Sequence, residues 1–388
     1  MSELLVQASV YLAAAVICVP LAKRLGMGSV LGYLAAGIVI GPFLLGLVGQ
    51  EGADIMHFAE FGVVMMLFLV GLELEPAAFW RMRRMVIGAG AAQVMATMGI
   101  VAAAALSMGM SWQAGLAVRA AAAMSSTAIA LQSLKEKQLL GTAGGQQSFA
   151  VLLFQDIAVI PILALLPLLA SASVHADDHG AGVIADLPAW MQTLTVLTAV
   201  GLVTAAGRWA VVPLLRTIAR TRLRELFTAA SLLIVVAIAL MMQAVGLSAA
   251  LGTFLAGVVL ATSEFKHELE SDLDPFKGLL LGLFFMGVGA SIDFSLIAAA
   301  PGRLALLTIG IMAAKVAVLL AVGRAMRLSL DQNLLFAIGL AQVGEFAFVL
   351  LSFIAQLGIL APEMVGTMMA VTALSMTITP LMMLATER

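Results

Sequence analysis

The chain has 388 residues, of which 62% are hydrophobic and only 11% charged. A water-soluble fold of this length cannot bury so much apolar side chain, so lipid is the expected solvent. A net charge of −2 gives no basis for binding nucleic acid, and one cysteine, Cys18, excludes a disulfide scaffold or a cysteine metal centre.

Apolar runs long enough for roughly 30 Å of hydrocarbon recur along the whole chain. They predict about thirteen transmembrane helices, at approximately 3–22, 28–46, 57–75, 85–108, 112–134, 146–170, 188–207, 225–245, 247–262, 276–296, 303–325, 332–356 and 364–385. The first run has no basic segment ahead of it and continues at full length, so no cleavable leader is expected. When the spans alternate, one side collects Lys23 and Arg24, the three arginines of 81–84, Lys135 and Lys137, and the five arginines of 208–224. It also collects Lys266, Lys277, Arg324, Arg327 and Arg388. These are 17 of the 20 Lys and Arg, which puts the N-terminus outside and the C-terminus in the cytoplasm. Trp80, Trp112, Trp190 and Trp209 fall near span ends, as interfacial aromatics do. Glu60, Glu73 and Glu75 also lie near span ends and read as interfacial. Arg119 sits closer to the outer end of the fifth run, within snorkelling reach of water.

The fifth run contains Ser125, Ser126 and Thr127 in succession. Hydroxyls at mid-depth either bond back to their own helix or mark an unwound stretch whose oxygens replace the water of a cation. The sixth run carries Gln155 and Asp156 among large apolar residues. Desolvation disfavours a charged carboxylate and a nearby cation favours it, so one acid balanced between these states holds a proton or a metal cation in turn. The Gln155 amide oxygen offers an uncharged ligand, but neighbouring helical residues point about 100° apart, so Gln155 either shares the ion or contacts an adjacent helix. The loop after this run holds His175, Asp177, Asp178 and His179. This spacing suits a metal, although a solvated Gly- and Ala-rich loop is the simpler reading.

Between the ninth and tenth runs, Glu264 to Lys277 forms a dense acidic segment, expected as a cytoplasmic loop. It reads as a solvated shield for helix ends or as a docking surface for a regulatory domain. The eleventh run buries Lys315, for which Asp156, Gln155 and Glu345 are candidate partners. The twelfth holds Gly339, Gln342, Gly344 and Glu345, a second set of break signals beside an acid. By topology alone, spans four to six are expected to correspond to spans eleven to thirteen with reversed orientation, the inverted repeat of many secondary transporters. Crossed half-helices would bring opposite dipole ends together, with Glu345 either balancing the positive ends, the favoured reading, or binding the ion. The expected division is a core over approximately 85–170 and 303–385, with a scaffold over 1–75 and 188–296.

These stretches resemble the membrane domain of the bacterial Kef-type glutathione-gated potassium-efflux antiporters, in the second monovalent cation:proton antiporter family. The resemblance runs through GSVLGYLAAGIVIGP at 28–42, HFAEFGVVMMLFLVGLELE at 57–75, SSTAIA at 125–130 and FAVLLFQDIAVIP at 149–161. It continues through HELESDLDPFKGLLLGLFFMGVGASIDF at 267–294 and EFAFV at 345–349. The Gln-Asp pair is itself informative, since sodium-type relatives usually carry Asn-Asp or Asp-Asp there. The resemblance implies a sodium/proton-antiporter-like fold, a homodimer in the bacterial inner membrane, and potassium and proton bound alternately at Asp156 in an elevator-like motion. It implies that spans five and twelve are the broken helices, and that His267, Glu268, Glu270, Ser271, Asp272 and Asp274 receive gating signals. Arg119 departs from the family pattern, and the sequence offers no physical reason for it.

Kef-type members carry a cytoplasmic nucleotide-binding domain with the glutathione site. No G-x-G-x-x-G follows a strand here, so that domain is expected to be absent, the chain being a truncated membrane domain or one served by a separate ancillary subunit. Glutathione and nucleotide are then expected only with that domain, and no cofactor is expected in this chain. The leading function is potassium efflux coupled to proton entry. A sodium/proton antiporter of the same fold is the nearest alternative. A potassium channel-like pore is the next, although no Thr-Val-Gly-Tyr-Gly filter is present. No Walker sequence or nucleophile–base pair points to an enzyme or primary pump.

Overall fold

A computed structural model describes residues 2–25, 28–48, 64–65, 67–69, 71–72, 76–107, 109–136, 138–166, 198, 201–244, 249–292 and 294–385. All regular elements among them are helices. The chain divides into two compact units, Met1–Ala53 with Ala78–Ala170 and Phe285–Arg388, and Asp54–Ala77 with Ser171–Phe284.

The first unit opens with α1 (Ser2–Arg24) and α2 (Gly28–Ile40). The second apolar run predicted a span to 46, but α2 stops at Ile40 and gives way to a bend and turns over 41–45. Pro42 accounts for this, because the residue before a proline disfavours the helical region. Helix α3 (Pro76–Met85) runs through a π-helical turn at Val86–Gly90 into α4 (Ala91–Ser107), so this span begins before the predicted edge at 85. Then come α5 (Trp112–Ala123), α6 (Thr127–Glu136) and α7 (Ala143–Leu165).

In the second unit a π-helical turn at Gly207–Val211 leads into α8 (Val212–Ala219), followed by α9 (Arg224–Ala244) and α10 (Ala249–Leu260). Helix α11 (Lys266–Ser291) begins there and ends in the first unit, which continues with α12 (Phe294–Ala299) and α13 (Pro301–Ala325). Helices α14 (Leu330–Gly339), α15 (Phe346–Gln356) and α16 (Pro362–Ala385) complete it.

Among the described residues, seven helices are long and apolar enough to cross a membrane, and an eighth is bent by 41° between Lys266–Phe276 and Gly278–Ala290. The runs predicted at 57–75 and 188–207, with Glu60, Glu73, Glu75 and Trp190, lie largely or wholly outside the described residues, as does the loop holding His175 and His179. Helices α5 and α14 have 12 and 10 residues. At 1.5 Å per residue neither exceeds about 18 Å, too short for roughly 30 Å of hydrocarbon. Each reaches span length only with the half-helix after it, α6 or α15. The order long helix, broken pair, long helix appears twice, as α4–α7 and α13–α16.

The acidic segment is not a loop. Residues from Lys266 onward are the first turns of α11. Phe265, Leu269, Asp272 and Leu273 are buried, while His267, Glu268, Ser271 and Asp274 are exposed. That is helical periodicity, which the high charge density and Pro275 had masked.

Candidate functional site

The site forms where the two broken helices meet, inside the first unit. Helix α5 ends at Ala123 because Met124 turns extended, with φ −71° and ψ 147°. Helix α6 restarts at Thr127, and the Ser126 hydroxyl accepts from the Ile129 amide at 3.1 Å, an N-cap bond. The second break spans 340–345 between α14 and α15. The two breaks are joined directly: Gly344 N donates to Met124 O at 3.1 Å, and Ser125 Oγ donates to Leu340 O at 2.9 Å. A Cβ on Gly344 would run into the main chain of Ser125, so only glycine permits this approach. From α16, Ser375 Oγ accepts from Val343 N at 3.0 Å and holds the second break from behind.

Lys315 on α13 is fully buried. Asp156, Gln155 and Glu345 were its expected partners, but its ammonium donates instead to two main-chain carbonyls, Met124 O at 2.5 Å and Gln342 O at 2.7 Å. Physics explains the choice. Met124 closes the C-terminal end of α5, and Gln342 follows the C-terminal end of α14. Helix C-termini carry unsatisfied carbonyls and partial negative charge, so one ammonium serves both. The Gln342 side chain is fully buried, and its amide atoms find no hydrogen-bond partner among the described residues.

The acids occupy the opposite helix ends. Glu345, buried, stands immediately before α15. Asp156 on α7 accepts from the hydroxyl of Thr127, the first residue of α6, at 3.2 Å to Oδ1 and 3.5 Å to Oδ2. Negative groups are favoured at helix N-termini. Asp156 is half-buried, unlike the fully enclosed lysine. Its carboxylate and the Thr127 hydroxyl supply the hard oxygens a monovalent cation prefers.

Gln155 takes the second of its two readings and contacts the neighbouring helix. Its Oε1 accepts from Ser125 N at 2.7 Å, and its Nε2 donates to Ala123 O at 3.3 Å. It thus clamps both sides of the first break. Gln155 Nε2 also donates to Gln93 Oε1 at 2.6 Å, and Gln93 Nε2 donates to Thr97 Oγ1 at 3.1 Å and to Ala123 O at 3.2 Å. Gln93 and Thr97, on α4 and fully buried, escaped the sequence reading. Two polar residues four apart at mid-depth in an apolar run were the available signal. The three hydroxyls therefore do different things: Ser125 ties the breaks together, Ser126 caps α6, and Thr127 touches Asp156.

Among the expected signal-receiving residues of α11, Asp272 differs from the rest. It is buried, accepting from Arg224 Nε at 3.0 Å and Thr228 Oγ1 at 2.7 Å. Glu270 lies 3.7 Å from Lys266 and 3.4 Å from the His267 ring.

The sequence model of a family described as "Sodium/hydrogen exchanger, transmembrane" matches residues 12–384. Glutathione-regulated potassium-efflux system protein KefC of Escherichia coli O45:K1 (strain S88 / ExPEC) is 45% identical over 387 residues, covering 100% of this chain and 61% of that protein. The KefC of Escherichia coli O81 (strain ED1a) matches equally, at 45% identity and the same coverage. The chain thus spans about three-fifths of the length of these curated relatives. The solved sodium proton antiporter MjNhaP1 from Methanocaldococcus jannaschii superposes with a TM-score of 0.71 at 14% identity, covering 98% of this chain and 96% of that one. This last likeness concerns the fold alone.

Proposed function

We propose, from the premise that the chain belongs to the transmembrane sodium/hydrogen exchanger family, that it is a secondary antiporter exchanging cytoplasmic potassium for external protons. The observation that carries this reading is the half-buried carboxylate of Asp156, held by Thr127 at the start of a half-helix and flanked by the Gln155 clamp. One acid meeting one hydroxyl accepts a proton or a partly dehydrated alkali cation, and the two compete for the same oxygens. Exchange is then one ion for one proton. The identity with KefC supports potassium as the cation; a sodium/proton exchanger of the same fold is the alternative.

In this reading Asp156 and Thr127 contact the ion. Gln155, Ser125 and Ser126 fix the break, and Lys315, Gln342 and Glu345 hold the charge balance around it. The thirteen-span topology with the N-terminus outside, a bacterial inner-membrane location, a moving core with a dimerising scaffold, and a homodimer all belong to this proposal. So does control through the exposed side of α11 by a cytoplasmic regulatory domain, the glutathione-regulated relatives being longer than this chain.

The test is ion replacement in proteoliposomes carrying a pH-sensitive dye. Potassium and rubidium should drive proton movement, sodium and lithium much less, and Asp156→Asn should abolish the response. A response to sodium without potassium would overturn the ion assignment, and exchange surviving in Asp156→Asn would remove this carboxylate from the mechanism.

A further inference from the structure

Helices α4 and α13 present their inner faces to the ion site, through Gln93 and Lys315. Their outer faces are built differently. Gly88, at the π-helical turn, and Ala92 and Ala96 on α4 recur every four residues, and Ala317, Ala321 and Ala325 do the same on α13. All six are exposed; Ala89, Val318 and Val322 complete the lining, and the Met326 methyl lies 3.5 Å from where a Cβ on Gly88 would sit. The result is a groove of about 540 Å³, with Ile100 at one end and Met326 at the other. From position 88 to 100 it runs about 18 Å at 1.5 Å per residue, close to one leaflet of hydrocarbon at roughly 15 Å.

The charge around this groove is confined to one end. Arg84 lies four residues before Gly88, and Arg324 and Arg327 bracket Ala325 and Met326. Arg83 lies beside Arg84, stacked over the Trp80 ring at 4.8 Å. All four arginines are exposed, and none forms a salt bridge among the described residues. An apolar channel one acyl chain long, opening beneath a cluster of unneutralised guanidinium groups, matches one chemistry on both counts. Guanidinium binds phosphate oxygens through paired N–H donors, while the alanine rows receive the chain.

We infer that the groove between α4 and α13 is a binding site for an anionic glycerophospholipid, one acyl chain lying along the alanine rows and the headgroup phosphate meeting Arg84 and Arg324. A second transmembrane helix is the competing occupant, since rows of small residues also admit close helix contact. It would leave the arginine cluster without a counter-charge, which is why lipid is the better fit. The bound lipid would then brace, from outside, the two helices that brace the ion site from inside.

The test is native mass spectrometry of the purified full chain, titrated with phosphatidylglycerol or with phosphatidylethanolamine of identical acyl chains. The wild type should retain phosphatidylglycerol about tenfold more strongly, each basic residue near a membrane surface adding severalfold. Arg84→Gln with Arg324→Gln should erase that preference. Ala92→Leu with Ala321→Leu, filling the groove, should lower retention of both lipids. Equal retention of the two lipids by the wild type, or a preference untouched by the arginine pair, would overturn the proposal. So would a groove-filled variant that keeps its lipid but changes its oligomeric mass, the signature of a helix in the groove. Should the leucine pair fail to fold, the arginine pair decides alone, since both its side chains are exposed.

Discussion

The ammonium of Lys315 lies 2.5 Å from the carbonyl oxygen of Met124, so the buried cation is tied to the end of a broken helix. With Gln342 O as its second acceptor, it joins the two breaks as a strut. Lys315→Ala takes the ammonium from both carbonyls in a dry interior, leaving Met124 O with only the Gly344 amide. A hydrogen bond from a charged donor contributes about 1.5–3 kcal/mol, so the loss should reach about 3 kcal/mol or more. A clear fall in the thermal-unfolding midpoint of the purified protein is expected, and an unchanged midpoint would remove the strut from the account.

Gly344 should be intolerant of a single methyl group. The Cβ of Gly344→Ala would collide with the Ser125 main chain, which the rest of the crossing holds in place. Overpacking of this kind costs about 1–3 kcal/mol. Gly310→Ala, in α13 with no atom within 4 Å of the new Cβ, should instead be neutral or stabilising by up to about 1 kcal/mol. Equal effects in a paired thermal-shift comparison would mean that the breaks do not approach as described.

The hydroxyl of Thr127 should matter for ion affinity more than for turnover. Thr127→Val removes the donor to Asp156 and one oxygen from the site. A hydrogen bond to a charged carboxylate contributes about 1.5–3 kcal/mol, so the apparent KM for the driving cation should rise about tenfold or more with a smaller change in kcat. Thr127→Ser, which keeps the oxygen, should stay within about twofold of wild type. A serine variant as impaired as the valine variant would point to the methyl group instead.

Along α11 the acids should separate into two classes. Asp272 is buried and holds Thr228 and Arg224. Arg224 is 75% exposed, so solvent screens that ion pair and most of the effect comes from the buried acceptor. Asp272→Ala should destabilise by about 2 kcal/mol, while Asp274→Ala, at an exposed position, should stay within about 0.5 kcal/mol. Any effect of Asp274→Ala should therefore appear in regulation rather than in the melting curve.

What could be read in advance divides along physical lines. Asp156, Lys315 and Glu345 stand out in any apolar run because a charge at that depth needs a reason. The breaks announced themselves through adjacent hydroxyls in one case and glycines in the other. The partners of Lys315 were illegible because they are main-chain carbonyls, which every residue possesses and no side chain advertises. Gln93 was hidden differently: one amide in a long apolar helix has no meaning until Gln155 is brought against it from 62 positions away. The α11 segment was misread because its charge density outweighed a helical periodicity already present at Phe265, Leu269 and Leu273.

Ser125 and Leu340, bonded across the two breaks, are 215 positions apart. At a synthesis rate of about 5–20 residues per second, the ribosome needs about 10–40 s to travel from one to the other. For most of that interval, until position 315 is made, the first half-helix pair has neither Lys315 nor Gly344 to satisfy its open carbonyl. The crossing of the two breaks can therefore close only as about the last fifth of the chain is made.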